Sequence, residues 1–239
     1  MPHFGAHLSI ARGLAAAVAA ATEQGCGALQ VFTKNASHWA AAPLAADDVA
    51  AFRAAVAAAA LRAVAVHDSY LINLASPNDE LFAKSVDAFV DEMERAEALG
   101  ADYLVTHPGA HTGSGEEAGL ARVAAGLDAA HARCPGFKLR VLLETTAGQG
   151  TSLGHRFEHL AAILDRAACA DRLGVCSDTC HVFAAGYGLA DADDYAATFE
   201  QFGDLIGLER LNLFHVNDSA KPRGSRVDRH AGIGLGEFG

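Results

Sequence analysis

The residues of this chain best suited to chemistry sit at, or just past, the downstream ends of apolar runs. His67 ends RAVAVH, His107 ends DYLVTH, Glu144 ends LRVLLE, Asp178 closes LGVCSD with His181 three residues on, and His215 ends LNLFH. The last run leads into KPRGSRVDRH, which adds Asp228 and His230. Imidazole and carboxylate are the ligands of borderline divalent ions, and two or three such ions held close together can hydrolyse a phosphodiester. Taken alone, His67 reads as a hydrogen-bonded core histidine. Taken together, at one repeated address, these residues read as a metal centre. Glu144 argues most strongly, because a carboxylate closing so apolar a run needs a cation or an arginine to offset its lost hydration.

Spacing refines this. Asp178 ends a strand and His181 follows on the loop or first helical turn, so the two can face different ions. Asp228 and His230 lie two apart, the same-side spacing of an extended segment, and can grip one ion together. His3, His38, His131, His155 and His159 read as surface or helix residues, while His7 and His111 read as supports or substrate contacts near the same rim. Cys176 and Cys180 flank Asp178 but read as small core residues rather than ligands.

The elements that must position these groups alternate along the whole chain. Strand-like runs cover 3–8, 28–33, 62–67, 102–107, 139–144, 173–178 and 211–216, separated by helical stretches such as GLAAAVAAATEQG, AADDVAAFRAAVAAAA, NDELFAKSVDAFVDEMERAEALG and EEAGLARVAAGLDAAHARC. The repeat of roughly 35–40 residues is a β-α unit. Near-continuous apolar strands imply a parallel sheet covered on both faces, and right-handed crossovers point to a (β/α)8 barrel with its active residues at the strands' C-terminal ends. The expected fold is therefore α/β, a TIM (β/α)8-type barrel over residues 1–239 as one domain. It lacks the eighth β/α unit at the C-terminus, so closure between first and seventh strands is not expected.

With 18 Lys plus Arg against 29 Asp plus Glu, the net charge is −11, which excludes a broadly basic nucleic-acid surface. Three divalent ions would bring +6 and concentrate it in one cleft. One local strip is basic: Lys221, Arg223, Arg226 and Arg229 interleave with Asp228 and His230, as phosphate contacts would. Tyr70 and Leu71 follow His67 on a loop and could wedge into a base stack. The five cysteines are odd in number and follow no secretory signal, and LAAAVAAA is too short to cross a bilayer. Reduced thiols in a cytoplasmic, membrane-free monomer are expected.

The strings GAHLS, VFTKN, HDSYLINLASP, HPGAH, ETTAGQGTSLG with FEHLAAI, GVCSDTCHVFAAGY, HVNDSAK and GSRVDRH run from residue 5 to residue 230. In these the chain resembles the endonuclease IV (deoxyribonuclease IV) family of zinc-dependent apurinic/apyrimidinic (AP) endonucleases of base excision repair. The resemblance implies three zinc ions and cleavage of double-stranded DNA 5′ to an abasic site, leaving a 3′-hydroxyl and a 5′-deoxyribose phosphate. It implies His67, His107 and Glu144 on the first zinc, Glu144 bridging to a second with Asp178 and His215, and His181, Asp228 and His230 on the third. Glu144, Asp178 and His181 thereby carry the catalytic roles. Tyr70, Leu71, Lys34, Arg226 and Arg229 are implied as DNA contacts.

Two departures stand out. Ser37 occupies a place where the family commonly has a basic residue, and the eighth strand's glutamate, a further ligand of the second zinc, has no counterpart here; Glu237 lies before where that strand would start. Two alternatives follow: a catalytically impaired protein that binds abasic DNA, and a metal-dependent sugar isomerase or epimerase on the same barrel. The latter gives no role to Asp228 and His230.

Overall fold

A computed structural model describes residues 3–239. Strands β1 (Gly5–His7), β2 (Ala28–Phe32), β3 (Ala63–His67), β4 (Tyr103–Thr106), β5 (Arg140–Glu144), β6 (Leu173–Asp178) and β7 (Leu211–His215) alternate with helices α1 (Leu14–Glu23), α2 (Ala46–Ala58), α3 (Asp79–Leu99), α4 (Glu116–Arg133), α5 (Phe157–Arg166), α6 (Thr179–Ala185) and α7 (Ala192–Leu205). This order is that of a TIM barrel. Among the described residues no eighth parallel strand follows. Instead β8 (Asp218–Ser219) and β9 (His230–Ala231) form a small antiparallel bracket.

The helices form where alanine-rich, straight-chain sequence carries high propensity. Acidic pairs open α2, α3 and α4 at Asp47–Asp48, Asp79–Glu80 and Glu116–Glu117, complementing the positive end of each helix dipole. Asp178 and Asp191 cap α6 and α7 by accepting the amides of His181 and Asp194. Gly186 ends α6 at φ 118°, a left-handed geometry that glycine reaches without strain.

The chain divides into two compact units. The first takes in the chain up to Ile72 with Asp87–Val105 and Ala130–Arg140. In it β1, β2, β3 and β4 pair in chain order, all parallel, around buried Leu29, Val31, Phe52, Val64, Val66, Phe89, Met93 and Leu104. The second takes in Asn73–Val86, Thr106–Ala129 and Val141–Gly239. There β5 pairs with β6 and β6 with β7, again parallel, setting Glu144 opposite Cys176 and Asp178 opposite His215. Every residue of β6 is buried, the signature of a strand covered on both faces. By contrast β7 is only half-buried, and Phe214 is exposed.

Candidate metal centre

Three strand ends and one bracket bring most of the chemistry-bearing residues together in the second unit. Glu144 ends β5, Asp178 ends β6, His215 ends β7 and His107 follows β4; His181 rises on the first turn of α6, and Asp228 and His230 come in at β9. Glu144 is buried, with His215 Nδ1 2.9 Å and His181 Nδ1 3.4 Å from its Oε1 and His107 Nε2 3.2 Å from its Oε2. Asp178 is also buried. His230 Nε2 lies 3.7 Å and His215 Nδ1 3.9 Å from its Oδ2. Asp228 closes the arrangement, with Oδ2 3.2 Å from His181 Nε2 and Oδ1 3.2 Å from His230 Nε2.

The donors are aimed by neighbours. The Asp178 amide donates to Thr145 Oγ1 at 2.9 Å, and Asn217 Nδ2 donates to Asp178 Oδ2 at 2.8 Å. The His181 ring places Nδ1 2.8 Å from the Thr145 carbonyl, which selects the tautomer protonated there and presents Nε2 towards Asp228 and His230. Sequence reasoning missed Thr145 and Asn217. Each adjoins a ligand run, Thr145 directly after Glu144 and Asn217 two residues after His215, and that adjacency is the signal that could have found them.

The electrostatics fit a cation. Burial works to raise the Glu144 carboxyl, yet the charges of His215 and His107, with hydrogen bonds from His107 and His181, hold it well below the usual carboxylate range. Burial works against a charged His181, but its bonds to Asp228 and Glu144 push it up to about 12. Hydrogen bonds from His181 and His230 hold Asp228 below its ordinary value, and the bond to Asp228 raises His230. These carboxylates demand positive charge, and imidazolium protons supply it where no metal does. Asp178, His181 and His230 offer donor atoms all within 4.8 Å of one another, and so do Glu144, Cys176 and His215. In the second group burial, with the charges of Glu144 and Asp178, pushes the Cys176 thiol well up, so it stays protonated as a core residue. Cys180 is likewise buried.

His67 ends β3 in the first unit, buried, with Nδ1 2.9 Å from the Asp68 carbonyl. Tyr70 is 60% exposed on the loop beyond it, its amide bonded to the Ala36 carbonyl, and Leu71 is half-buried. Arg229 and Arg226 are both exposed, the latter held at φ 54° with its amide on the Ala184 carbonyl. Lys34 departs from its expected role. It is buried, its ammonium bonded to Asp91 and Glu92, so its charge is spent inside the first unit rather than offered to phosphate. Arg223 of the basic strip is likewise taken up, by Asp194 and the Gly186 carbonyl.

One of the other histidines sorts differently from expectation. His155 is neither exposed nor helical; it is buried in the loop before α5, Nδ1 against the Ser152 carbonyl. With His159 and Glu116 it brings donor atoms within 4.8 Å, but the Gly154 amide and the Arg156 and Glu116 side chains already engage both nitrogens of His159. That cluster holds a loop. His111 accepts the amides of Gly113 and Gly115 and organises the turn before α4, and His7 bonds Gln30.

Residues 18–239 match the family model described as a xylose isomerase-like TIM barrel, which is the class that the fold defines. The probable endonuclease 4 of Chloroflexus aggregans is 55% identical over 239 residues, covering all of this chain and 84% of that relative. The crystal structure of endonuclease IV from Thermus thermophilus superposes with a TM-score of 0.85 at 40% identity, over 96% of this chain and 81% of that one. The chain belongs to the endonuclease IV family. A D-psicose 3-epimerase, 12% identical with a TM-score of 0.67 over 90% of this chain and 73% of its own, shares the fold alone.

Proposed function

We propose that this chain is a zinc-dependent AP endonuclease that hydrolyses the phosphodiester 5′ to abasic sites in double-stranded DNA, leaving a 3′-hydroxyl and a 5′-deoxyribose phosphate. The observation that carries the reading is the convergence of Glu144, Asp178 and Asp228 with His107, His181, His215 and His230, carboxylates whose charge is balanced by imidazoles. Imidazole nitrogen mixed with carboxylate oxygen suits zinc better than magnesium or calcium, which prefer all-oxygen sites. Membership of the endonuclease IV family supports the DNA substrate.

In this reading Glu144 would be a ligand of a first and of a second ion, Asp178 and His215 would be further ligands of the second, and His181, Asp228 and His230 would hold the third. His107 would join Glu144 on the first. His67 is added as a ligand on its strand-end place and its motif HDSYLINLASP. Bound zinc supplies Lewis acidity towards phosphodiester oxygens and acidifies the attacking water. The chain's own groups do the rest. Thr145 and Asn217 keep Asp178 and His181 oriented, Arg226 and Arg229 meet backbone phosphates, and Tyr70 with Leu71 enters the base stack beside the lesion. No described helix is long and apolar enough to cross a membrane.

The test is an abasic-site duplex incubated without magnesium, using protein as purified, after zinc stripping, and after zinc return. Cleavage should vanish and reappear with zinc. Tight binding without any turnover in fully loaded protein would instead support the impaired lesion-binder.

A further inference from the structure

We propose that Asp218 is a positioning residue of the metal centre, holding in place the bracket that carries Asp228 and His230; this rests on the metal reading above. Asp218 opens β8, three residues after His215, and its side chain bonds backbone amides rather than the ligand-type residues. Its carboxylate is buried, 1% exposed, and accepts four of those amides. Oδ1 takes Ser219 at 2.7 Å and Phe238 at 3.3 Å, while Oδ2 takes Gly236 at 2.9 Å and Gly234 at 3.2 Å. Three of the four lie just downstream of β9.

The consequence is mechanical. β9 pairs with β8, Ser219 opposite His230 and Asp218 opposite Ala231. Upstream, the segment is tied to α6, the helix that carries His181, by the Gly224 amide on the Phe183 carbonyl and the Arg226 amide on the Ala184 carbonyl. Downstream it is tied by the Asp218 carboxylate and by the Glu237 amide on the Ser219 carbonyl at 2.8 Å. Asp228 and His230 therefore ride on a strap fastened at both ends, which holds Asp228 3.2 Å from His181 and 3.2 Å from His230. The packing around the downstream fastening is close. A Cβ at Gly236 would meet Asp218 Oδ1 and the Ser219 carbonyl oxygen at 2.4 Å, so glycine is required there.

A carboxylate is needed because it presents acceptors on both oxygens. Asparagine would turn an NH2 towards two amide N–H groups and leave them unbonded in a buried place. Groups that orient metal ligands from outside cost about 10–100-fold in metal affinity when removed.

The experiment compares wild type, Asp218→Asn, Gly236→Ala and a control, Leu127→Ala, which leaves a cavity on α4, a helix that takes part in none of the bracket's fastenings described above. Zinc per chain is read by elemental analysis during titration with a chelator, and amide hydrogen exchange at residues 226–231 is read in metal-free protein. The proposal expects Asp218→Asn to shed its most weakly held zinc at about 10–100-fold lower chelator strength than wild type, with faster exchange confined to that segment. Gly236→Ala should do the same, and provides the answer if Asp218→Asn fails to fold. Leu127→Ala should lower Tm yet keep wild-type zinc retention. Wild-type zinc affinity and unchanged exchange in both bracket variants would overturn the proposal, as would equal zinc loss in Leu127→Ala. If wild type itself takes up no zinc, the functional reading fails, and the exchange data still decide whether Asp218 orders the strap.

Discussion

Each unit buries a cluster of charges, and the two clusters are built from different cations. In the first unit Lys34 answers Asp91 and Glu92, while Thr33 Oγ1 donates to Glu92 and accepts from Arg95 Nε, and the rest of the Arg95 guanidinium donates to the carbonyls of Thr33 and Ala42. In the second unit Glu144, Asp178 and Asp228 are answered by histidines. Lysine and arginine keep their protons at neutral pH, so the first cluster is closed and can only hold structure. Imidazoles can surrender theirs and turn the same nitrogen lone pairs on a metal ion. Buried charge alone does not mark a site; buried carboxylates faced by exchangeable cations do.

The largest effect that should separate the two clusters is catalytic. Glu144→Gln removes a charge that the proposed ions share, and cleavage of an abasic duplex should fall by more than about a thousandfold, the rate equivalent of several kcal/mol of charge stabilisation. Lys34→Met should leave cleavage per folded molecule near wild type but destabilise the fold by about 3–5 kcal/mol, because Glu92 is left buried without its cation. Denaturant unfolding and a specific-activity assay on the same preparation check both halves; a Lys34 variant that is stable yet inactive would erase the distinction.

A smaller change is expected at Tyr70, whose ring is exposed beyond β3. Tyr70→Ala should weaken binding to abasic duplex by about tenfold, in line with about 1–3 kcal/mol for one stacked base, with Tm unchanged. Fluorescence anisotropy with a labelled duplex measures it. The smallest effect is on pH. In metal-free protein His181 is raised to about 12, so its stabilising charge is complete below about pH 6.5 and is lost as pH climbs towards the folded value. Stability of the metal-free chain should therefore fall from pH 7 to pH 9 by about 1.4 kcal/mol per unit at most, and His181→Asn should flatten that slope.

Much of this was legible in the sequence. The β6 run LGVCSD coincides with the observed strand at 173–178, and the other runs differ from theirs by a residue or two, because long apolar runs bounded by helix-forming alanine admit few alternatives. The strand-end carboxylates and histidines that converge in the second unit were equally visible, since neighbouring parallel strands turn a repeated place in sequence into adjacent places in space. What escaped depends on partners distant in sequence. Lys34 reads as a loop cation until Asp91 and Glu92, 57 and 58 residues later, fold over it. His155 reads as an ordinary surface residue until its loop folds back to bury it. KPRGSRVDRH reads as an open basic loop, yet β8 and β9 pin its end, and only the observed carboxylate cage of Asp218 reveals why.

The central claim is that the histidine-balanced carboxylates of the second unit hold metal ions that cut DNA. The most direct measurement is strand cleavage of a duplex with one abasic site, in chelated buffer, by protein whose zinc content has been counted. The account predicts a single nick 5′ to the lesion with a 3′-hydroxyl that a polymerase can extend, in proportion to zinc bound. Protein carrying its full zinc complement that leaves the duplex intact, or stripped protein that cleaves it equally well, would contradict the account.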